Sequence, residues 1–236
     1  MKTGRVILFP SLMADCAVEQ VLPQRNIELM RTVKYFVVEE LRTARRFLKA
    51  CDRSIDIDSL TFSVLNEHTP ATDVAAMLEP ALQGHDIGVI SEAGCPAVAD
   101  PGADLVALAQ RRGVEVVPLV GPSSILLALM GSGFNGQSFT FNGYLPVDAH
   151  ARAERIKALG AAARKGTTQI FIETPYRNRR LIDDLARLLP PSTPVCAAID
   201  ITGPGQWIRT LPASKWPAEA GRLDKRPAIF LIGNDL

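Results

Sequence analysis

The sequence has little of what marks several specialised classes of protein. Its four cysteines, Cys16, Cys51, Cys95 and Cys196, form no CxxC pair, which argues against both a zinc site and a disulfide framework. Free thiols in a reducing cytoplasm are the expected state. The chain also lacks an excess of one charge, because it has 26 basic and 25 acidic residues and a formal net charge of +1. A nucleic-acid substrate would therefore need a local basic patch, since the whole chain offers no attracting field.

Long apolar runs and several well-known motifs are absent too. The first apolar stretch, Val6–Phe9, is closed by Pro10 and is too short for the core of a signal peptide. No run reaches membrane-spanning length, so we expect a cytoplasmic protein with no membrane contact. No Gly-x-Gly-x-x-Gly follows the first strand, and there is no P-loop. The histidines are isolated from one another, so no metal site is predicted.

What is present in the first half is an alternation of apolar β-favouring runs and helical patterns. The predicted strands are Val6–Phe9, Tyr35–Val38, Asp86–Ile90 and Val114–Val117, and the predicted helices are Glu39–Ala50, a segment from Thr69-Pro70 to Gly84, and a segment ending at Arg112. This order predicts an α/β fold in which helices cover both faces of a parallel sheet.

The second half has a different pattern of predicted strands and helices. Its strand candidates are Phe139–Phe141, Thr168–Ile172, Pro194–Ile199, Trp207–Leu211 and Ala228–Ile232, with helices at Ala151–Ala163 and Arg177–Leu189. The last strands follow one another closely, which favours antiparallel pairing within a mixed sheet. With a boundary placed near Pro118–Gly121, we expect an N-terminal α/β domain at residues 1–118 and an α+β domain at residues 119–236.

The loop Ser91–Gly102 is the most informative segment of the sequence. It leaves the carboxyl end of a buried strand, where open α/β sheets build their ligand sites. Its small residues let a ligand approach the backbone closely, and its two prolines stiffen it. The structural alternative is a rigid connector in which Asp100 caps the next helix. A connector so long and so rich in Gly and Pro favours the functional interpretation.

Two further segments carry polar groups at strand ends. Gly121–Ser124 follows a strand and opens a helix, so its hydroxyls and free amides suit a carboxylate or hydroxyl ligand, although plain helix capping explains them equally. Phe171–Arg177 places the Glu173 carboxylate, the Tyr176 phenol and the Arg177 guanidinium within a few residues. A solvated helix start is the alternative there.

These segments, in this order, resemble the tetrapyrrole (corrin/porphyrin) methylase superfamily, and within it most closely the ribosomal RNA small subunit methyltransferase I group. The group's Ser-Asp-Ala-Gly-Thr-Pro loop stands here as Ser91–Gly102, with Glu92, Cys95 and Ala99 substituted. Further matches are Val120–Ser123, Ile172–Arg177, Glu39–Arg42, Asn66–His68 and Arg226–Phe230. The pattern departs from the group at Phe9–Leu12, which replaces a Thr-Pro-Ile-Gly-Asn loop, and at Tyr176, which replaces a histidine.

The resemblance implies two α/β domains with S-adenosylmethionine in the cleft between them, in a homodimer. The positions it assigns to the cofactor are Ala93, Gly94, Cys95, Val98, Ser123, Ser124, Glu173, Ala228 and Ile229. Ribosomal RNA or the small ribosomal subunit is the implied substrate, methylated at a ribose 2′-oxygen. Two alternatives stay open, namely a methyltransferase that acts on a tetrapyrrole or other small molecule, and a non-catalytic S-adenosylmethionine-binding protein of the same fold.

A ribose hydroxyl holds its proton tightly, so a nearby carboxylate is the natural assistant for its removal. The candidates, in descending order, are Glu173, Glu67 and Asp100. Four arginines are candidates for binding RNA phosphates, namely Arg42, Arg45, Arg177 and Arg179. The alternative for them is an ordinary solvated basic face.

Overall fold

The computed structural model describes residues 3–234 and divides into two compact units. The division falls between Ser123 and Ser124, a few residues beyond the boundary at 118 expected from the sequence. Within the described residues no helix has the length and apolar character needed to cross a membrane.

The first unit is built on a five-stranded sheet. Its strands are β1 (Arg5–Phe9), β2 (Tyr35–Val38), β3 (Thr61–Val64), β4 (Ile87–Ile90) and β5 (Glu115–Pro118); its helices are α1 (Gln24–Met30), α2 (Leu41–Cys51), α3 (Ala71–Leu82) and α4 (Gly102–Arg111), with short 3-10 helices at Val18–Gln20 and Ile57–Ser59. The strand order is β3-β2-β4-β1-β5, and each neighbouring pair is parallel. The predicted parallel α/β architecture is thereby confirmed.

Helices cover both faces of this sheet because its central strands are apolar on both sides. In β1, Ile7 and Phe9 pack with residues of α1 and α2, whereas Val6 and Leu8 pack with residues of α3 and α4. Successive side chains of a strand point to opposite faces, so the two sets form separate cores. All four residues of β4 are buried. A strand buried on both faces needs an apolar sequence without alternation, which is what Ile87–Ile90 has.

The second unit carries a mixed sheet. Its strands are β6 (Phe139–Tyr144), β7 (Thr168–Glu173), β8 (Pro194–Ile199), β9 (Trp207–Pro212) and β10 (Ala228–Ile232); its helices are α5 (Ser124–Ser132), α6 (Ala149–Arg164) and α7 (Asn178–Leu188), with 3-10 segments at Pro175–Arg177 and Ala213–Leu223. The strand order is β6-β7-β10-β8-β9. The β6–β7 pair is parallel and the other pairs are antiparallel, as the closely spaced final strands predict.

The core of the second unit is centred on aromatic side chains. Phe171 and Phe230 stack on adjacent strands with ring centroids 6.0 Å apart. Trp216 is fully buried, and its indole nitrogen donates a hydrogen bond to the carbonyl of Val195 at 2.9 Å. Burying the large ring costs little because its one polar group has a partner.

Candidate cofactor site

Three loops leave the same edge of the first sheet. They follow β4, β1 and β5, which are neighbours in the sheet, and because the strands are parallel their carboxyl ends lie side by side. The loop after β4 is Ser91–Pro101, the loop after β1 begins at Pro10, and the loop after β5 runs from Leu119 to Ser123. This edge is where open α/β sheets bind ligands.

The three loops contact one another directly. The amide of Ser11 donates a hydrogen bond to the carbonyl of Gly94 at 2.9 Å, which ties the first loop to the second. The Cys95 thiol donates to the carbonyl of Pro122 at 3.3 Å, which ties the second to the third. Gly121 lies against Pro10 so closely that a Cβ on it would stand 2.2 Å from the Pro10 Cβ. The structure thus brings together the two loops singled out in the sequence, with the β1 loop between them.

The backbone of the Ser91–Gly102 loop is held in a specific shape. Gly94, Ala97 and Ala99 have positive φ angles of 74°, 64° and 55°, a region that residues with a Cβ seldom adopt. The Asp100 carboxylate accepts hydrogen bonds from the amides of Ala97 at 3.2 Å and Gly102 at 2.6 Å. These bonds hold the turn in place; the N-cap of α4 is Pro101, so Asp100 binds the first helical amide from one position earlier than the capping alternative expected.

The predicted cofactor positions of the first unit fit a ligand that approaches the backbone. Ala93 is exposed, Val98 is 50% exposed, and Cys95 and Ser123 are partly buried. Gly94 is buried, and a Cβ there would stand 3.3 Å from the Pro122 carbonyl oxygen and 3.4 Å from the Met13 sulfur. Small side chains, and a glycine with little room for a Cβ, leave this rim open to a molecule that hydrogen bonds with main-chain groups. The residues present therefore suit a compact cofactor such as S-adenosylmethionine.

The cofactor positions predicted in the second unit lie on adjacent strands. Glu173 ends β7 and pairs in register with Ala228, which begins β10, and Ile229 pairs with Ile172. Ser124 is the first residue of α5. The cofactor roles of these residues stay predictions.

The Glu173 carboxylate is already engaged by its own segment. Its side chain is 2% exposed, and its Oε1 atom accepts hydrogen bonds from the Thr174 amide at 2.7 Å and from the Arg177 guanidinium at 2.8 Å. A buried carboxylate requires such partners. Two residues predicted for separate roles, a base and an RNA contact, therefore form one ion pair.

One carboxylate that the sequence analysis did not propose stands beside the Ser91–Gly102 loop. Glu39 follows β2, and its Oε2 atom accepts a hydrogen bond from the Glu92 amide at 3.4 Å. Burial raises the pKa of Glu39, and the charges of Asp100 and Glu67 raise it further. Burial and the charge of Glu39 likewise raise the pKa of Glu92. The signal was available in the sequence, because Glu39 directly follows an apolar run that predicts a strand, as Ser91 does.

The other predicted residues are spread over the two units. Glu67 is on the surface, with its side chain 84% exposed. Arg42 and Arg45 are exposed on α2, and the Arg45 guanidinium lies over the Phe62 ring at 5.5 Å. Arg179 is exposed in the first turn of α7.

The comparisons with known proteins agree with one another about the family. A model of the Tetrapyrrole (Corrin/Porphyrin) Methylases matches residues 19–215. The chain is 29% identical over 214 residues to the ribosomal RNA small subunit methyltransferase I of Vibrio cholerae, which covers 89% of this chain and 72% of that protein. It is 27% identical to the protein of the same name from Escherichia coli O157:H7, over 97% of this chain and 77% of that protein. A third such relative, from Xylella fastidiosa, is 34% identical over 71% of this chain and 58% of its own length.

Solved structures share the fold at lower identity. The methyltransferase CobJ superposes with a TM-score of 0.65 at 19% identity, covering 98% of this chain and 95% of that one. A uroporphyrin-III C-methyltransferase from Thermus thermophilus, complexed with S-adenosylhomocysteine, gives a TM-score of 0.59 at 18% identity over 98% and 97% of the two chains.

Proposed function

The chain belongs to the tetrapyrrole (corrin/porphyrin) methylase family and is an S-adenosylmethionine-dependent methyltransferase, and from this premise we propose that it methylates a ribose 2′-oxygen of small-subunit ribosomal RNA. The observation that carries the proposal is the similarity to relatives named ribosomal RNA small subunit methyltransferase I, which extends over 89% and 97% of this chain in the first two. The contact between the loops after β4, β1 and β5 supports a site for the methyl donor at that edge of the sheet.

In this proposal Ala93, Gly94, Cys95, Val98 and Ser123 hold the cofactor through main-chain groups and small side chains. Ser124, Glu173, Ala228 and Ile229 contribute from the second unit. S-adenosylmethionine supplies a methyl group already activated by its sulfonium charge. The acceptor oxygen forms the new bond to carbon as the carbon–sulfur bond breaks, and sulfur keeps the electron pair. The chain's task is to align the acceptor, exclude water and receive the acceptor's proton.

A carboxylate is the proposed proton acceptor. Of the three candidates, Glu173 is paired with Arg177, Asp100 holds two loop amides, and Glu67 is open to solvent. Glu39 joins them as a fourth, because a carboxylate whose pKa is raised is a better match for proton transfer near neutral pH. Arg42, Arg45, Arg177 and Arg179 are the proposed phosphate contacts, and Arg177 would bind a phosphate while it stays paired with Glu173.

A tetrapyrrole or another small molecule is the second candidate acceptor. It is kept because a protein of the same fold, from Thermus thermophilus, is named a uroporphyrin-III C-methyltransferase. A non-catalytic S-adenosylmethionine-binding protein is the third candidate. The sequence departure at Phe9–Leu12, where the related group has a different loop, is what keeps it open.

An assay of labelled methyl transfer distinguishes the three candidate functions. The protein is incubated with methyl-labelled S-adenosylmethionine and small ribosomal subunits, and the RNA is digested to nucleosides. The proposal predicts label in a 2′-O-methylnucleoside. Label in a tetrapyrrole such as uroporphyrinogen III, with none in RNA, would support the second candidate. Cofactor binding without transfer to either acceptor would support the third.

The proposal also includes a cytoplasmic homodimer. The four cysteines carry free thiols in the described part of the chain, which is compatible with a reducing compartment. Light scattering after size-exclusion chromatography tests the dimer, whose expected mass is twice that of the 25.6 kDa chain.

A further inference from the structure

A cavity of about 330 Å³, lined by both apolar and polar residues, lies in the first unit beside the candidate cofactor loops. It is enclosed by the β1 loop, one face of α2 and the start of the Ser91–Gly102 loop. Its floor is buried and includes Phe47, Ile90, Ser91 and Ser11. The Ser91 hydroxyl donates to the Gly94 carbonyl at 3.2 Å, so an occupant of the cavity would rest against the same backbone as the cofactor.

The Ser11 side chain contributes a buried hydroxyl to the floor of the cavity. Its residue is 3% exposed, and its hydroxyl has no hydrogen-bond partner among the described residues. Its amide donates to the Gly94 carbonyl, which fixes the backbone of Ser11 but gives its hydroxyl no partner. A buried hydroxyl left without a partner is unfavourable, and such groups in native proteins call for an explanation. A ligand atom in the cavity provides one.

The mouth of the cavity is acidic. Asp15 and Glu92 line it together with a single basic residue, Arg46, and the Thr43 hydroxyl adds a neutral polar group. Two carboxylates against one guanidinium disfavour an occupant that carries carboxylates of its own, as a tetrapyrrole does, and tolerate a neutral group. The same carboxylates are acceptors without a proton to donate, so they favour a group with N–H donors.

We propose that this cavity receives a single nucleobase of the RNA acceptor and that Asp15 and Glu92 accept hydrogen bonds from an amino group on that base. The inference rests on the proposed function and names the part of the RNA that the first unit recognises. The volume is at the lower end for small-ligand pockets and suits one base with its sugar, not four linked rings. Carboxylates recognise exocyclic amino groups of bases, and proteins read single-stranded RNA on bases turned out of the stack.

Free nucleosides in matched pairs test the inference. Cytidine and uridine differ at the amino group, as do adenosine and inosine, and ligand-observed NMR measures weak binding to the full chain saturated with S-adenosylhomocysteine. Within each pair the nucleoside with the amino group should bind roughly tenfold more tightly, because a hydrogen bond to a charged group contributes about that factor. Equal affinities within both pairs would overturn the inference.

Amino-acid substitutions test whether the nucleosides bind in this cavity. The double substitution Asp15→Ala and Glu92→Ala should bring both affinity ratios close to one, because it removes the acceptors. Glu28→Ala, an exposed carboxylate of the same unit outside the cavity, should leave the ratios unchanged. Ser11→Ala should weaken the members of each pair to the same extent, since the hydroxyl lies on the floor. Unchanged ratios in the double variant would place the nucleosides elsewhere and contradict the inference.

The outcome is separable from that of the proposed function. Calorimetric titration with S-adenosylhomocysteine on the same samples shows whether the double variant keeps its cofactor site. Methylation of small ribosomal subunits together with equal nucleoside affinities would refute the cavity assignment and leave the proposed function standing. Tighter binding of the amino-bearing nucleosides without methylation of ribosomal subunits would support the cavity assignment and refute the proposed function.

Discussion

At the scale of single residues, Gly94 is the position where backbone conformation and space coincide. Its φ of 74° and the nearby Pro122 oxygen and Met13 sulfur both oppose a side chain. Gly113, which follows α4, shares the positive φ, at 68°, but a Cβ on it would meet nothing within 4 Å. Comparing alanine variants at these two glycines therefore separates the cost of the positive φ from the cost of fitting a Cβ against neighbouring atoms.

We predict that Gly113→Ala lowers the free energy of unfolding by about 1 kcal/mol, since it forces a Cβ into the left-handed region. Gly94→Ala should lower it further, because the Pro122 oxygen and the Met13 sulfur must also give way. Only Gly94→Ala should weaken the binding of S-adenosylhomocysteine, by roughly tenfold, because the loop must shift by a few tenths of an ångström. Urea unfolding and calorimetry measure the two quantities. Equal cofactor affinities in the two variants would exclude Gly94 from the site.

The Glu173–Arg177 pair gives a second prediction at this scale. Arg177→Ala leaves the carboxylate of a side chain that is 2% exposed with only the Thr174 amide as a partner. The free energy of unfolding should fall by about 3 kcal/mol, the lower end for a broken buried pair, because Arg177 itself is partly exposed. Lys157→Ala breaks a pair in which both side chains are more than half exposed, and it should change stability little. Similar losses in both variants would show that the Glu173 pair is not a structural requirement.

At the scale of elements, the junction of β2 and α2 places two glutamates in opposite electrostatic settings. Glu40 caps α2, and hydrogen bonds from the amides of Arg42 and Thr43 lower its pKa below the ordinary 4.5. Glu39, one residue earlier, has its pKa raised by burial and by neighbouring carboxylates. Neighbours in sequence thus contribute to stability with opposite signs.

Glu39→Gln should therefore stabilise the protein at neutral pH. A raised pKa means that the folded state holds the proton more tightly than the unfolded chain, so ionisation costs stability at pH values above it. The gain from the substitution should fade as the pH falls toward and below 4.5, where the wild-type carboxyl is protonated in both states. Urea unfolding between pH 3.5 and 7.5 (roughly the span over which these carboxyls titrate) measures it.

Glu40→Gln is the matched control and should behave in the opposite way. A lowered pKa contributes stability above the ordinary value of 4.5, and that stability is lost as the pH falls through the folded-state pKa. The variant should be less stable than the wild type at neutral pH, and the difference should shrink in acid. Two variants with the same sign at neutral pH would contradict this description of the junction.

The elements themselves were largely predictable from sequence. Apolar, β-favouring runs predict β1, β2, β4, β5 and the strands of the second unit. The signal is strongest in β4, where burial on both faces demands continuous apolar residues. The edge strand β3, with its pattern of exposed and half-buried residues, carries no such signal and was not predicted. The conformations of Ala97 and Ala99 were not predictable either, since positive φ at alanine arises from the surrounding contacts and not from residue type.

At the scale of the whole molecule, the sequence indicates which segments matter but not how they meet. The resemblance and the strand ends identified the loops after β4 and β5, yet only the strand order β4-β1-β5 shows that the β1 loop lies between them. Strand order depends on long-range packing that leaves no local pattern. The roles of Glu39 and Ser11 became visible for the same reason, because the contacts of each with the Ser91–Gly102 loop join residues far apart in the chain.

The central claim is that the touching loops of the first unit hold the methyl donor. Hydrogen–deuterium exchange of the full chain, with and without saturating S-adenosylhomocysteine, tests it directly because exchange reports on each segment separately. We predict slower exchange in peptides that cover residues 91–102 and 119–124, with no change in α3. Binding without protection of these two segments, or protection confined to other parts of the chain, would contradict the claim.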